Sequence, residues 1–86
     1  MQKVFRILNE EGLHARPAGA LAKTAAEFTS SIEIRANGMT KNAKSIMGVM
    51  SLGLSKDAEI TIVASGEDEA EALEKLEQLI TNKFQI

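Results

Sequence analysis

The chain has 86 residues, a formal net charge of −2, no cysteine, no tryptophan and no tyrosine. That length fits one small domain with one modest core. It excludes disulfides and thiolate metal sites, and its three phenylalanines are too few for binding single strands by base stacking.

Residues 2–8 alternate around Phe5 and Ile7, which predicts a strand with one buried face. Asn9 to Gly12 reads as a turn. Apolar residues at Ala18, Leu21, Ala22, Ala25 and Phe28 recur with helical period and predict a helix over Ala15 to Glu27. Thr29 to Ser31 ends it. Ile32 and Ile34, between Glu33 and Arg35, predict a second strand. Asn37-Gly38 is a strong hairpin signal, and Met39 to Asn42 reads as the returning strand.

Ser45 to Leu52 predicts a short helix with Ser45 as its cap and Gly53 as its close. Ala58 to Ser65 alternates as a fourth strand. Gly66 to Asp68 reads as a turn and helix cap. Glu69 to Thr81 places Ala72, Leu73, Leu76, Leu79 and Ile80 on one stripe, with Glu71, Glu74, Lys75 and Glu77 outside. The order is β-α-β-β-α-β-α, an α+β chain. One apolar face per strand and one stripe per helix favour two layers, a sheet with the helices on one face.

The charge is uneven. Residues 1–56 carry eight bases and four acids; residues 57–86 carry two bases and eight acids. A basic face near His14, suited to acidic partners or phosphate, is expected. The longest uncharged stretch, Ser45 to Ser55, is 11 residues and too short to span a bilayer. Met1 to Arg6 has no apolar export core, so a cytoplasmic location is expected.

The single histidine and the single proline, His14 and Pro17, lie three positions apart in Gly12-Leu-His-Ala-Arg-Pro-Ala18. They fall where a helix starts without a Ser, Thr, Asp or Asn cap, so its first amides gain no partner from a cap side chain. Proline removes one amide there at no cost. A helix N-terminus with Arg16 makes an anion site. An imidazole beside it can hold a phosphoryl group, because much of it is neutral and nucleophilic near pH 7. The same residues also suit a plain surface histidine that caps poorly. In Lys44-Ser-Ile-Met-Gly-Val-Met-Ser-Leu52, the local reading is a capped amphipathic helix over the core. Met47 and Met50 share a side suited to adaptable docking, and Ser45 sits where added negative charge is favourable.

These two segments, about 30 residues apart, resemble HPr, the histidine-containing phosphocarrier family of the bacterial phosphoenolpyruvate:sugar phosphotransferase system, in its low-GC Gram-positive form. The resemblance covers essentially all of residues 1–86 as one domain. It implies an open-faced two-layer sandwich, with an antiparallel sheet of order 1-4-2-3 and three helices on one face. It implies that His14 takes a phosphoryl group on Nδ1 from enzyme I and passes it to sugar-specific IIA domains. Arg16 and the first-turn amides would steady the phosphate. Ser45 would be a regulatory site for HPr kinase/phosphorylase, with the catabolite regulator CcpA as a partner. Ile46, Met47 and Met50 would form the docking patch.

The resemblance implies a stoichiometric carrier, not an enzyme, and calls for no cofactor, no metal and no direct nucleic-acid contact. No helix shows a second apolar stripe, so a monomer is expected. A second reading is a purely regulatory module acting through Ser45 and a transcription-factor partner; such relatives replace the histidine that this chain keeps. Two positions depart from the family pattern. Glu11 stands where members often carry Ser, Thr or Asn, and Gly19 interrupts the first helix.

Overall fold

Backbone pairing in the computed structural model, which describes residues 1–84, joins four strands into one antiparallel sheet. Strands β1 (Gln2–Arg6), β2 (Ser31–Ala36), β3 (Met39–Asn42) and β4 (Glu59–Ser65) lie in the order β1-β4-β2-β3. Helices α1 (Ala15–Ala26), α2 (Ile46–Met50) and α3 (Glu69–Thr81) complete the order β-α-β-β-α-β-α.

The period-two pattern sets the inner face. Phe5 lies opposite Ile60, and Ile34 lies opposite Ile62. All four are buried. Their outward neighbours, Val4, Glu33, Arg35 and Thr61, are exposed or half-buried. The helices supply the other half of the core through Ala18, Leu21, Ala25, Val49, Leu76 and Ile80. Of these, Leu21, Val49, Leu76 and Ile80, fully buried, each stabilise by roughly 1.5–3 kcal/mol. The predicted stripe of α3 is buried at all five positions.

Asn37 and Gly38 both have positive φ, 54° and 73°, the geometry of a type I′ hairpin turn. The Asn37 amide also donates to the Leu52 carbonyl at 3.0 Å, tying the turn to the far end of α2. Helices α1 and α2 run in opposite directions. At one end the Lys44 ammonium donates to the Phe28 carbonyl at 2.8 Å, just past α1. At the other, the Leu13 amide donates to the Leu54 carbonyl at 3.0 Å, just before α1.

Some boundaries differ from the sequence reading. Strand β1 stops at Arg6, not residue 8, and β4 starts at Glu59, not Ala58. Asp57 adopts φ 72° there and curls the chain away, although Ile7 still exchanges backbone bonds with Asp57 and Ala58. The regular part of α2 is Ile46–Met50, because Ser45 and Ser51 are its caps.

Asp68 is a correction of substance. It occupies the N-cap position of α3 but makes no side-chain cap bond. Its carboxylate instead accepts from the Thr29 and Ser30 amides, both at 2.9 Å, and from the Ser30 hydroxyl. Those bonds pull its pKa down to about 2, with the Ser30 hydroxyl the largest cause. Glu69 turns back and accepts from the Gly66 amide at 3.3 Å.

The sequence pattern predicts no element past α3. Lys83 and Phe84 both take positive φ, 55° and 63°. The Phe84 amide donates to the Leu79 carbonyl at 2.8 Å, and its ring is buried.

Candidate functional site

His14 is exposed and stands at the N-cap of α1 with extended backbone, φ −75° and ψ −173°. Its carbonyl accepts from the Ala18 amide at 2.9 Å, which starts the helix. Its side chain makes no cap bond, and the first turn holds no acid. Pro17 has no amide hydrogen, so the first-turn donors left without a cap partner are those of Ala15 and Arg16. Twelve residues of aligned peptide dipoles end there in partial positive charge.

The approach to His14 is rigid. Gly12 has φ 67°, and a side chain on it would collide with the Leu54 carbonyl and come within 2.7 Å of Ser55 Cα. The buried Asn9 amide group donates to the Gly12 carbonyl at 2.6 Å, and the Gly12 amide donates back to the Asn9 carbonyl at 3.1 Å. With the Leu13–Leu54 bond, these contacts fix the backbone one residue before the histidine. Asn9 Oδ1 is buried without a hydrogen-bond partner. Sequence pattern marks Asn9 as the start of a turn but carries no signal for its clamp on Gly12 or for Leu54, since both act through contacts with no period.

Arg16 is exposed and faces a cavity of about 660 Å³ whose lining includes Asn9, Glu10, Glu11, Lys23 and Phe84. His14 is not among its lining residues. The cavity beside Arg16 is mixed in charge, with Glu10 and Glu11 set among Arg16, Lys23 and Lys83. Glu11 is held below the ordinary carboxylate range, first by a backbone hydrogen bond, then by the Asn9 amide, and further by the charges of Arg16 and His14.

Ser45 caps α2 as its position foretold. Its hydroxyl oxygen accepts from the Gly48 amide at 3.1 Å. Gly48 leaves that hydroxyl room: a Cβ there would lie 3.3 Å from Ser45 Oγ. Helix α2 divides cleanly. Val49 is buried against the core, while Ile46, Met50 and Met47 are exposed, Met47 at 79%. Because α1 and α2 are antiparallel, Ser45 lies at the end of α2 away from the Leu13–Leu54 junction, and Met50 lies nearer to it. Among the described residues, no cluster of three or more His, Cys, Asp or Glu could hold a metal ion. Among the described residues, no helix is long and apolar enough to cross a membrane.

Residues 1–82 match the family model described as the PTS HPr component phosphorylation site. The chain belongs to the HPr family. It shares 44% identity with the HPr of Thermoanaerobacter tengcongensis, with a TM-score of 0.94, covering 98% of this chain and 94% of that one. It shares 41% identity with the histidine-containing phosphocarrier protein of Mycoplasma, with a TM-score of 0.90 and coverage of 98% and 97%. It is also 42% identical to Crh, the Bacillus subtilis catabolite repression protein, with a TM-score of 0.77 and coverage of 100% and 99%.

The fold matches the HPr fold in element order and sheet topology. As an HPr, the chain is a phosphocarrier of the phosphotransferase system. The Crh structure is an intertwined dimer with a swapped domain. The expectation of a monomer therefore finds no support among these relatives.

Proposed function

We propose that this chain, as a single HPr domain, accepts a phosphoryl group from enzyme I on His14 and delivers it to sugar-specific IIA domains. The imidazole Nδ1 forms the new P–N bond as the bond to the enzyme I donor breaks. Delivery repeats the exchange with the IIA acceptor, so the carrier returns unchanged and has no turnover of its own. The observation that carries this reading is the uncapped N-terminus of α1 with His14 at its N-cap. Free amides, the positive helix end and Arg16 all favour a phosphoryl dianion there.

Incubation with phosphoenolpyruvate and enzyme I is expected to add one acid-labile phosphate. His14→Ala is expected to abolish it, and label retained in that variant overturns the assignment. Ile46, Met47 and Met50 give both partners an apolar surface beside α1.

Ser45 is the regulatory phosphosite in this reading, modified by HPr kinase/phosphorylase. Phosphate at a helix N-cap is favourable to the helix. Its position at the far end of α2 supports control through the Met47 patch over direct repulsion at His14. The likeness to Crh favours a second reading, a regulatory module working through Ser45 and a partner such as CcpA. Label on Ser45 from kinase and ATP, with none on His14 from enzyme I, selects that second reading.

A further inference from the structure

Glu11 and Glu10 are adjacent acids with different surroundings. Glu10 faces Lys56, 3.8 Å away. Glu11 instead takes a bond from the Asn9 amide at 3.4 Å, and the same amide group clamps the Gly12 carbonyl. Gly12 cannot carry a side chain, and Leu13 is fixed to Leu54, so the segment from Glu11 to His14 has little freedom. Glu11 and Arg16 line one cavity, whose other charged groups are Glu10 from the loop, Lys23 from α1 and Lys83 after α3.

We propose that Glu11 tunes the His14 site: its carboxylate, on the same cavity as Arg16, offsets the Arg16 charge that steadies the phosphoryl group and makes phosphohistidine a more reactive donor. The proposal rests on the reading that His14 carries the phosphoryl group. Like charge disfavours the dianion, while the unphosphorylated site gains from the same carboxylate. The carrier is thereby loaded against a small penalty and gives up its cargo more readily. In hydrolysis, water adds its oxygen to phosphorus, the P–N bond breaks, and the leaving imidazole nitrogen takes up the proton that water gives up. In transfer, the acceptor imidazole takes the place of water. Glu11 touches neither event and acts through the field at Arg16, as a positioning residue.

The test uses full-length protein loaded with labelled phosphoenolpyruvate and enzyme I, then freed of both. Loss of label at pH 7 is followed for wild type, Glu11→Gln, Glu11→Asp and Glu10→Gln. Glu11→Gln is expected to lengthen the phosphohistidine half-life about three- to tenfold at low salt, the scale of one added charge near a dianion. Glu11→Asp restores most of the wild-type rate, and Glu10→Gln has the smaller effect, because Lys56 offsets the Glu10 charge. The difference shrinks at 1 M salt, where the screening length is about 3 Å. Equal half-lives for wild type and Glu11→Gln overturn the proposal. So does a difference that salt leaves intact, which marks a role in shape and not in charge. Wild type that takes no label overturns the carrier reading itself, a separate result.

Discussion

The Leu13 amide donates to the Leu54 carbonyl at 3.0 Å, and through that one bond the exit of α2 holds the entrance of α1. It places the apolar patch of α2 and the exposed histidine on a shared frame. Gly12 is the residue that permits the approach, because the Leu54 carbonyl occupies the space a side chain there would need.

Replacing Gly12 by alanine is therefore expected to fail on two counts, a positive φ and a backbone collision. The cost is at least about 2 kcal/mol, and the His14 loop moves with it. Gly19→Ala behaves oppositely. It is a helix-interior glycine with open space where its Cβ would sit, so the change stabilises by roughly 0.5–1 kcal/mol. Urea unfolding of both variants reads the two signs directly.

Asp68 gives the fold an acid-sensitive tie. Its folded pKa of about 2 lies below the ordinary 3.8, so its contribution is fully present above about pH 4. That contribution is lost as pH falls through about 2, because a depressed carboxylate must be protonated to lose its bonds. Asp68→Asn is expected to lower the urea midpoint at pH 7 and to bring wild type and variant together near pH 2. Midpoints measured across that interval check it. A gap of constant size at all pH values counts against the assignment.

Ser45→Ala removes the acceptor for the Gly48 amide and is expected to cost about 1 kcal/mol. Ser45→Asp keeps an acceptor at the cap and adds favourable charge, so its stability stays near wild type. Enzyme I is expected to phosphorylate His14 more slowly in Ser45→Asp than in Ser45→Ala. Thermal unfolding and initial rates of label uptake separate the two effects.

Met47 and Val49 are two residues apart on α2, yet one is 79% exposed and the other fully buried. Met47→Ala is expected to change stability by less than about 0.5 kcal/mol while raising the KM of enzyme I for this carrier severalfold. Val49→Ala is expected to cost about 2 kcal/mol by leaving a cavity in the core. Steady-state kinetics beside chemical unfolding distinguish a docking residue from a packing one.

What the sequence determined alone is what repeats along the chain or is settled within a few residues. The stripe of α3, from Ala72 to Ile80, follows helical period and is buried in full. Asn37-Gly38 carries its own turn geometry, and Ser45 caps α2 from three residues away. The uncapped start of α1 at His14 was legible because a cap is a local event.

Only tertiary structure decided where long-range polar bonds go. Asp68 had the local chemistry of a cap, but the amides of Thr29 and Ser30, 39 and 38 residues away, claimed its carboxylate. The antiparallel run of α1 and α2, the need for glycine at position 12, and the meeting of Glu11 with Arg16 in one cavity have the same origin. A buried or clamped polar group takes whichever partner the packed core brings within about 3 Å. That choice has no period in the sequence, because the core that makes it is assembled from every element at once.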